Sequence, residues 1–315
     1  MTNPLDRLMG MAKIGTQTGI GALVALCAMA GAAMAAQPTD WQLGFQPSAT
    51  TVMDDINWFN NFTLWIVVPV VLFVTALLVI VMLRFNAKSN PTPSKTTHHT
   101  MIEVVWTVVP ILILVIIAVP SFRLLYKELV LPETALTIKA TGYQWYWGYE
   151  YAEEGMEDVS FDSLMLSNDE RKERMEARGL TEKDVPRLLA VDNQLVVPVG
   201  KNIRIQVTAA DVIHAFAMPA FGVKVDAIPG RLNETWFNAE RTGVYFGQCS
   251  ELCGKDHAFM PIAIRVVTQE QFDAWVEAAK DDIDEANALL VSMVDADAKN
   301  RTVASDGSNF TVAGR

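Results

Sequence analysis

Residues 247–261 read GQCSELCGKDHAFMP, and within them Cys249, Cys253, His257 and Met260 follow the spacing C-x3-C-x3-H-x2-M. Apolar, β-prone runs at 243–248 and 261–267 flank the segment, so it reads as a loop closing two strands. A further histidine, His214, stands on the loop of an earlier strand pair, after Asp211-Val212-Ile213. Two thiols, two imidazoles and a thioether are the soft and borderline donors that copper selects. Other pairings compete. Two cysteines in a secreted domain suggest a disulfide. A bridge across three residues, however, restrains little unfolded chain and gives His257 and Met260 no reason to follow at ligand spacing. Zinc accepts Cys2His2 sets, but a thioether suits copper better. A mononuclear blue-copper centre uses methionine and two histidines with a single cysteine, and this loop supplies two.

Outward from the loop, short runs rich in β-branched and aromatic residues at 135–151, 188–197, 202–208, 233–238, 243–248 and 261–267 are separated by turn signals such as Pro229-Gly230. They predict an all-β sandwich or barrel within residues 123–267. In Tyr143 to Tyr151 the odd positions place five aromatic rings on one face of a continuous strand, where most of them pack the core. The charged, glycine-poor segment 167–184 reads as a surface helical insertion with a solvated face. In 268–315, Thr268 with Glu270 and Gln271 caps a helix running through Phe272, Trp275 and Ala279. From about Asp295 the composition favours a disordered tail.

The N-terminal part is different in kind. Residues 62–83 and 104–122 hold no charge, and each is close to the roughly 20 residues that cross a hydrocarbon core about 30 Å thick. Both predict transmembrane helices of one hairpin over 62–122, in which Pro69, Pro110 and Pro120 are tolerated by packing against neighbouring helices. The connection 84–100 carries Arg84, Lys88 and Lys95 and no carboxylate, whereas Asp40, Asp54 and Asp55 precede the first span in 37–61. The connection is therefore expected in the cytoplasm and both mature ends outside. His98 and His99 lie in it as solvated residues. Residues 1–36 read as a signal peptide, with Arg7 and Lys13 before the apolar run 20–33 and small residues ahead of Gln37. Its removal takes Cys27 away, and the bulky Leu26 argues against a lipid anchor there.

The formal net charge of −11 is not evenly spread: residues 123–315 hold 20 basic and 31 acidic residues, and the preceding part is balanced. An acidic soluble body repels nucleic acid and attracts basic partners.

The spans, VVWTVVP at 104–110, GYQWYWGYEY at 142–151, LLAVDN at 188–193, DVIHAFAMPAFGVKVDAIPGRLN at 211–233 and the loop at 247–261 together resemble subunit II of the cytochrome c oxidases over nearly the whole mature chain. The resemblance implies a membrane-anchored all-β fold, a two-helix transmembrane hairpin followed by a cupredoxin-like Greek-key β-barrel. It implies a dinuclear copper centre, CuA, whose two copper ions share Cys249 and Cys253. His214 and His257 would each bind one ion, Met260 would be a weak ligand to one, and the Glu251 carbonyl to the other. The function implied is that of the electron-receiving subunit of a terminal oxidase in a bacterial inner membrane, multi-pass, with both termini and the copper domain in the periplasm. Cytochrome c would be the donor. Haems would lie only in the partner subunit I, beside a subunit III.

By the same resemblance Trp145 is where the electron enters, and Glu150, Asp158, Asp192 and Asp211 attract the lysine-rich face of cytochrome c. The Glu251 side chain would bind magnesium at the subunit I boundary, and Glu103 would stand at the entrance of a proton channel. A plainer reading of Glu103 is a carboxylate favoured by the helix N-terminus. No C-x-x-C-H occurs, so a fused cytochrome c domain is not expected. A quinol-oxidase scaffold would lack the donor set, a soluble reductase would lack the spans, and a copper carrier would not require the acidic and aromatic face.

Overall fold

The computed structural model describes residues 36–307, and the expected signal segment and Cys27 lie outside them. Two long helices come first, α1 (Thr51–Arg84) and α2 (Thr100–Leu129), each containing an apolar run sufficient to cross a membrane. Both outrun the uncharged stretches because their first turns are capped. Thr50 accepts from the Met53 N–H at 3.1 Å, and His99 Nδ1 accepts from Ile102 at 3.3 Å. His99, solvent-exposed as expected, thus also serves as the N-cap of α2. Pro69, Pro110 and Pro120 sit inside the helices without ending them. The helices pair antiparallel: Lys127 near the end of α2 reaches Asp55 Oδ2 at 2.6 Å and the Thr51 carbonyl at 3.2 Å at the start of α1. Their apolar side chains are exposed along most of both lengths, as expected of surfaces meant for lipid or other helices.

The β-domain is built from ten strands: β1 (Leu136–Tyr143), β2 (Tyr146–Tyr151), β3 (Ser160–Ser163), β4 (Leu195–Pro198), β5 (Asn202–Ala209), β6 (His214–Met218), β7 (Val223–Ala227), β8 (Asn233–Asn238), β9 (Gly243–Gln248) and β10 (Pro261–Val267). A five-stranded sheet runs β3-β2-β1-β5-β8, a three-stranded one β4-β10-β9, and β6 pairs with β7. In β5, Ile203, Ile205, Val207 and Ala209 alternate inward, the period-2 signature of a half-buried strand. In β4 and β6 every residue is buried, because other chain covers both faces. Trp147, Tyr149, Tyr151, Phe216, Phe221, Phe237 and Tyr245 fill the shared core.

The expected continuous strand 135–151 is instead the hairpin β1–β2, turning at Gln144–Trp145 through a cis peptide bond. No Gly, Asn or Pro marks that turn, so the alternation ran through it unnoticed. The five rings therefore do not share one face. Trp147, Tyr149 and Tyr151 point into the core, Tyr143 stacks on Tyr146 across the hairpin at 4.7 Å, and Trp145 projects from the turn. The expected strand 188–197 shrinks to β4, because its first half is a buried turn linked to Met165 through Val191. Strands β3, β6 and β7 are additions, too short to stand out from the sequence.

The insertion does form a helix, α3 (Asn168–Arg178), closed by a capping box between Ser167 and Glu170. Its face is not wholly solvated: Arg171 is buried and donates to the Val185 carbonyl at 2.8 and 3.0 Å as well as to Glu182. After β10, Thr268 and Gln271 cap α4 (Gln269–Ala279), which packs Phe272 and Trp275 against Tyr151. The tail expected to be disordered from about Asp295 is still helical there, since α5 runs Ile283–Gly307. Long-range bonds hold it, from Arg178 to Asp295 at 3.4 Å and from Gln271 to Asp297 at 2.7 Å.

The helix hairpin is fastened to the β-domain near the start of α1. Ala49 exchanges backbone bonds with Ala220 and Glu240, Thr50 donates to the Phe221 carbonyl at 2.8 Å, and Trp236 donates to the Lys127 carbonyl at 3.3 Å. Gly222 sits there at φ +72°, where an added Cβ would stand 2.7 Å from Ile56 Cδ1 and 3.3 Å from the Met53 backbone. Such a joint fixes the height of the β-domain above the spans.

Candidate metal centre

Strands β9 and β10 pair antiparallel, with Gln248 opposite Pro261, so the loop between them is pinned at both ends. His214 is the first residue of β6 rather than part of a loop, and it is fully buried. The Ser250 N–H donates to the Ala215 carbonyl at 3.1 Å, which seats β6 beside the loop. Gly247 makes that approach possible, because a Cβ there would stand 2.0 Å from the Ala217 carbonyl oxygen.

The four loop residues and His214 converge. The Cys249 and Cys253 sulfurs are 3.9 Å apart and both thiols are free, so they are not joined to each other. Cys249 Sγ lies 3.9 Å from His214 Nδ1 and 3.4 Å from the Glu251 carbonyl oxygen. Cys253 Sγ lies 3.4 Å from His257 Nδ1 and 3.5 Å from Met260 Sδ. Donors about 2.0–2.3 Å from a shared ion at tetrahedral angles stand about 3.3–3.8 Å from one another. Three of the five spacings fall within that range and the two at 3.9 Å lie just beyond it, and the mixture of thiol, imidazole, thioether and carbonyl fits copper.

Electrostatics prepare the site for cations. Burial opposes ionisation of Cys249, but hydrogen bonds with His214 and the Glu251 carbonyl region bring its thiol down to about 6. Burial and the neighbouring Cys249 push Cys253 up to about 12. One thiol is thus ready to lose its proton and the second needs a metal to displace it. For His214, burial disfavours the charged ring, yet Cys249 and Asp211 outweigh it and raise its pKa.

The supporting contacts were invisible in the sequence. Asp211 Oδ1 meets His214 Nε2 at 2.9 Å, which holds the ring with Nδ1 toward the sulfurs. Burial acts against the charge on Asp211, but bonds from His214, Val212 and Gln144 hold its carboxyl below the usual range. Gln144 links the hairpin turn to the site, its backbone N–H donating to Asp211 Oδ2 at 2.8 Å and its side chain to the Cys253 carbonyl at 2.8 Å. Trp147 Nε1 donates to the Met260 carbonyl at 3.3 Å, and its ring meets His214 edge-on at 6.1 Å. Gly142 also lies against that histidine: a Cβ would stand 2.9 Å from His214 Cδ2. Replacing Gly142 with alanine is therefore expected to tilt the imidazole, lowering copper affinity about 10- to 100-fold while the fold survives. Copper titration alongside circular dichroism checks it. Unchanged affinity would remove Gly142 from the site.

Trp145, expected as the point where the electron enters, reaches the metal loop directly. Its Nε1 donates to the Cys253 carbonyl at 3.2 Å, its ring packs on Gly254, and Lys255 Nζ sits 5.6 Å from the ring centre. Among the expected docking carboxylates, Glu150 and Asp158 are exposed, Glu150 pairing with Lys139 at 2.8 Å. Asp192 is partly buried and accepts from Leu164 and Asn193, and Asp211 is engaged with His214. The Glu251 side chain is exposed beside the exposed Leu252. Glu103 lies far along the chain from this cluster, where its carboxylate accepts from the His99 N–H at 3.1 Å and completes the α2 cap.

Residues 136–267 match the family described as cytochrome C oxidase subunit II, periplasmic domain, and residues 38–124 match its transmembrane domain. A probable cytochrome c oxidase subunit 2 from Rickettsia bellii is 50% identical over 254 residues, covering 81% of this chain and 90% of the relative. The cytochrome c oxidase subunit 2 of Cereibacter sphaeroides is 44% identical over 288 residues, 88% of this chain and 94% of the relative. A crystal structure of the periplasmic domain of subunit II of cytochrome oxidase from Bradyrhizobium japonicum is 61% identical, covering 48% of this chain and 97% of that one, at a TM-score of 0.41. The architecture expected from the sequence stands as far as a two-helix membrane anchor carrying an all-β domain. With both of its regions matched and its relatives aligned over most of their length, the chain belongs to the cytochrome c oxidase subunit II family.

Proposed function

We propose that this subunit accepts single electrons from cytochrome c at a dinuclear CuA centre and passes them to haem in subunit I, where oxygen is reduced to water with coupled proton pumping. The observation that carries the reading is the pair of unlinked sulfurs, 3.9 Å apart, flanked by two imidazoles, a thioether and a carbonyl. Cys249, Cys253, His214, His257, Met260 and the Glu251 carbonyl would hold the copper pair, which would supply a one-electron store. The protein contributes rigidity: Cys249, Cys253 and Met260 are buried, β9 and β10 clamp the loop, and Asp211 fixes His214, so donors move little between charge states.

In this reading the β-domain faces the periplasm of a bacterial inner membrane, and α1 and α2 both span it. The route inward begins at Trp145, whose indole N–H holds the carbonyl of a copper ligand. Glu150, Asp158, Asp192 and Asp211 attract the donor, with Asp211 also positioning His214. The Glu251 side chain binds magnesium at the boundary with subunit I, Glu103 opens a proton path into that subunit, and subunit III completes the complex.

Metal analysis of the purified complex tests the centre: two coppers per chain in this subunit with a multi-line mixed-valence spin signal support it. Zinc, one copper, or a Cys249–Cys253 disulfide would overturn it. Docking has its own signature. The association rate with cytochrome c is expected to fall steeply with ionic strength, because rim charges act on encounter. Trp145→Phe is expected to slow electron uptake about tenfold or more at unchanged association rate and copper content. Stopped-flow oxidation of reduced cytochrome c reads both, and a salt-independent rate would remove the carboxylates from the docking role.

A further inference from the structure

The two segments that the copper site leaves unused, helix α3 and helix α5, meet over the outer side of the β4-β10-β9 sheet. Between them lies a cleft of about 520 Å³ whose walls include Arg174 and Arg178 from α3, Arg265 from β10, and Val196, Ala288 and Val291. That volume is in the range of small-molecule sites. Arg265 stands mid-strand between Val196 and Val244 on the neighbouring strands, a place where an apolar side chain would pack at less cost. Its Nε donates to Gln194 at 2.6 Å, and among the described residues it has no carboxylate within ion-pair distance. Arg174 spends one bond on the Val191 carbonyl at 2.9 Å and likewise has no carboxylate at ion-pair distance. Burial, followed by repulsion from Arg178, lowers the pKa of Arg265 to about 10 in spite of attraction from Asp295.

Among the described residues no carboxylate makes an ion pair with Arg265 or Arg174, although Asp295 attracts the first and Asp192, which lines the cleft together with Asp284, attracts the second. Asp295 is taken by Arg178 at 3.4 Å, Asp192 is turned to the backbone N–H groups of Leu164 and Asn193, and Asp284 is exposed on the first turn of α5. A guanidinium's remaining N–H donors match a carboxylate or phosphate in a two-point fork. The valine and alanine side chains opposite suit an apolar body.

We propose that this cleft is a binding site for a small organic anion, a phosphate or carboxylate group on a compact apolar frame. The anionic group sits on Arg265 and Arg174, and the frame lies against Ala288 and Val291. The site is separate from the copper ligands and is made by the two segments that lie outside the electron path.

Calorimetric titration of the intact oxidase complex with phenyl phosphate, and separately with inorganic phosphate, tests it. Saturable one-to-one binding of phenyl phosphate is expected, about tenfold tighter than inorganic phosphate because only the former uses the apolar wall. Arg265→Met is expected to weaken it about tenfold or more. Val291→Asp, which keeps all three arginines and adds a carboxylate to the wall, is expected to do the same should the first variant fail to assemble. Absence of saturable binding up to about 10 mM, a millimolar affinity being at the weak limit of a built site, overturns the proposal. So does an affinity for phenyl phosphate unchanged in the assembled variants.

Discussion

Exchange of Cys253 for serine is expected to abolish the paired copper proposed for this site while leaving the β-domain folded. The sulfur of Cys253 stands 3.9 Å from Cys249, 3.4 Å from His257 and 3.5 Å from Met260, so half of the cluster meets at this one atom, as the other half meets at Cys249. Serine nearly matches cysteine in shape, and the surroundings already hold polar groups from Gln144 and Trp145, so little packing is lost. What changes is chemistry: a hydroxyl is a hard, weakly acidic donor that does not bridge soft metals. Bound copper should fall from two per chain to one at most. Electron uptake from cytochrome c should drop on the order of 100-fold or more, beyond the loss typical of outer-shell changes. Metal analysis and single-turnover stopped flow read the two effects, with circular dichroism reporting the fold. Retention of both coppers would mean that Cys253 is not shared between metals.

That prediction begins from a motif that lay open in the sequence, and the contrast with its surroundings is instructive. Cys249, Cys253, His257 and Met260 fall within one loop, where ligand spacing is a local property, so the residues announce themselves. The spans at 62–83 and 104–122 were equally plain, since uncharged length needs no tertiary information. Non-local features were not legible. Gln144 and Asp211 connect the β1–β2 turn to Cys253 and His214, a link created only by the parallel pairing of β1 with β5 and the course of the chain after it. The turn itself was hidden because Tyr-Gln-Trp-Tyr-Trp has strand-like composition on both sides and no residue that signals a reversal. The helical stretch through Asp295 and Asp297 was missed for the opposite reason: its composition is that of a solvated tail, and its order comes from Arg178 and Gln271, far away in the chain.

The same lesson governs Gly247, which no motif singled out and whose replacement by alanine is expected to be as damaging as loss of a ligand. Its backbone is in ordinary strand geometry within β9, paired with Ile262, so conformational freedom is not what requires glycine there. Space is. An added Cβ would lie 2.0 Å from the Ala217 carbonyl oxygen and 2.5 Å from Met218 Sδ. Met218 Sδ can swing away, but the Ala217 carbonyl belongs to β6, fixed by pairing opposite Lys224 in β7. Either β6 or β9 must therefore retreat by about 1 Å or more to reach ordinary contact, a strain that overpacked cores meet at about 3 kcal/mol. Since β6 begins with His214 and β9 leads into Cys249, the retreat also opens the 3.9 Å gap between their ring nitrogen and sulfur. Gly247→Ala should lower the melting temperature by about 10 °C and abolish stoichiometric copper binding together. Gly155→Ala provides the comparison: at φ +81° with no atom near its missing Cβ, it carries strain alone, about 1 kcal/mol. If the two variants melt alike in scanning calorimetry, the close passage of β6 over β9 does not set the geometry of the metal centre.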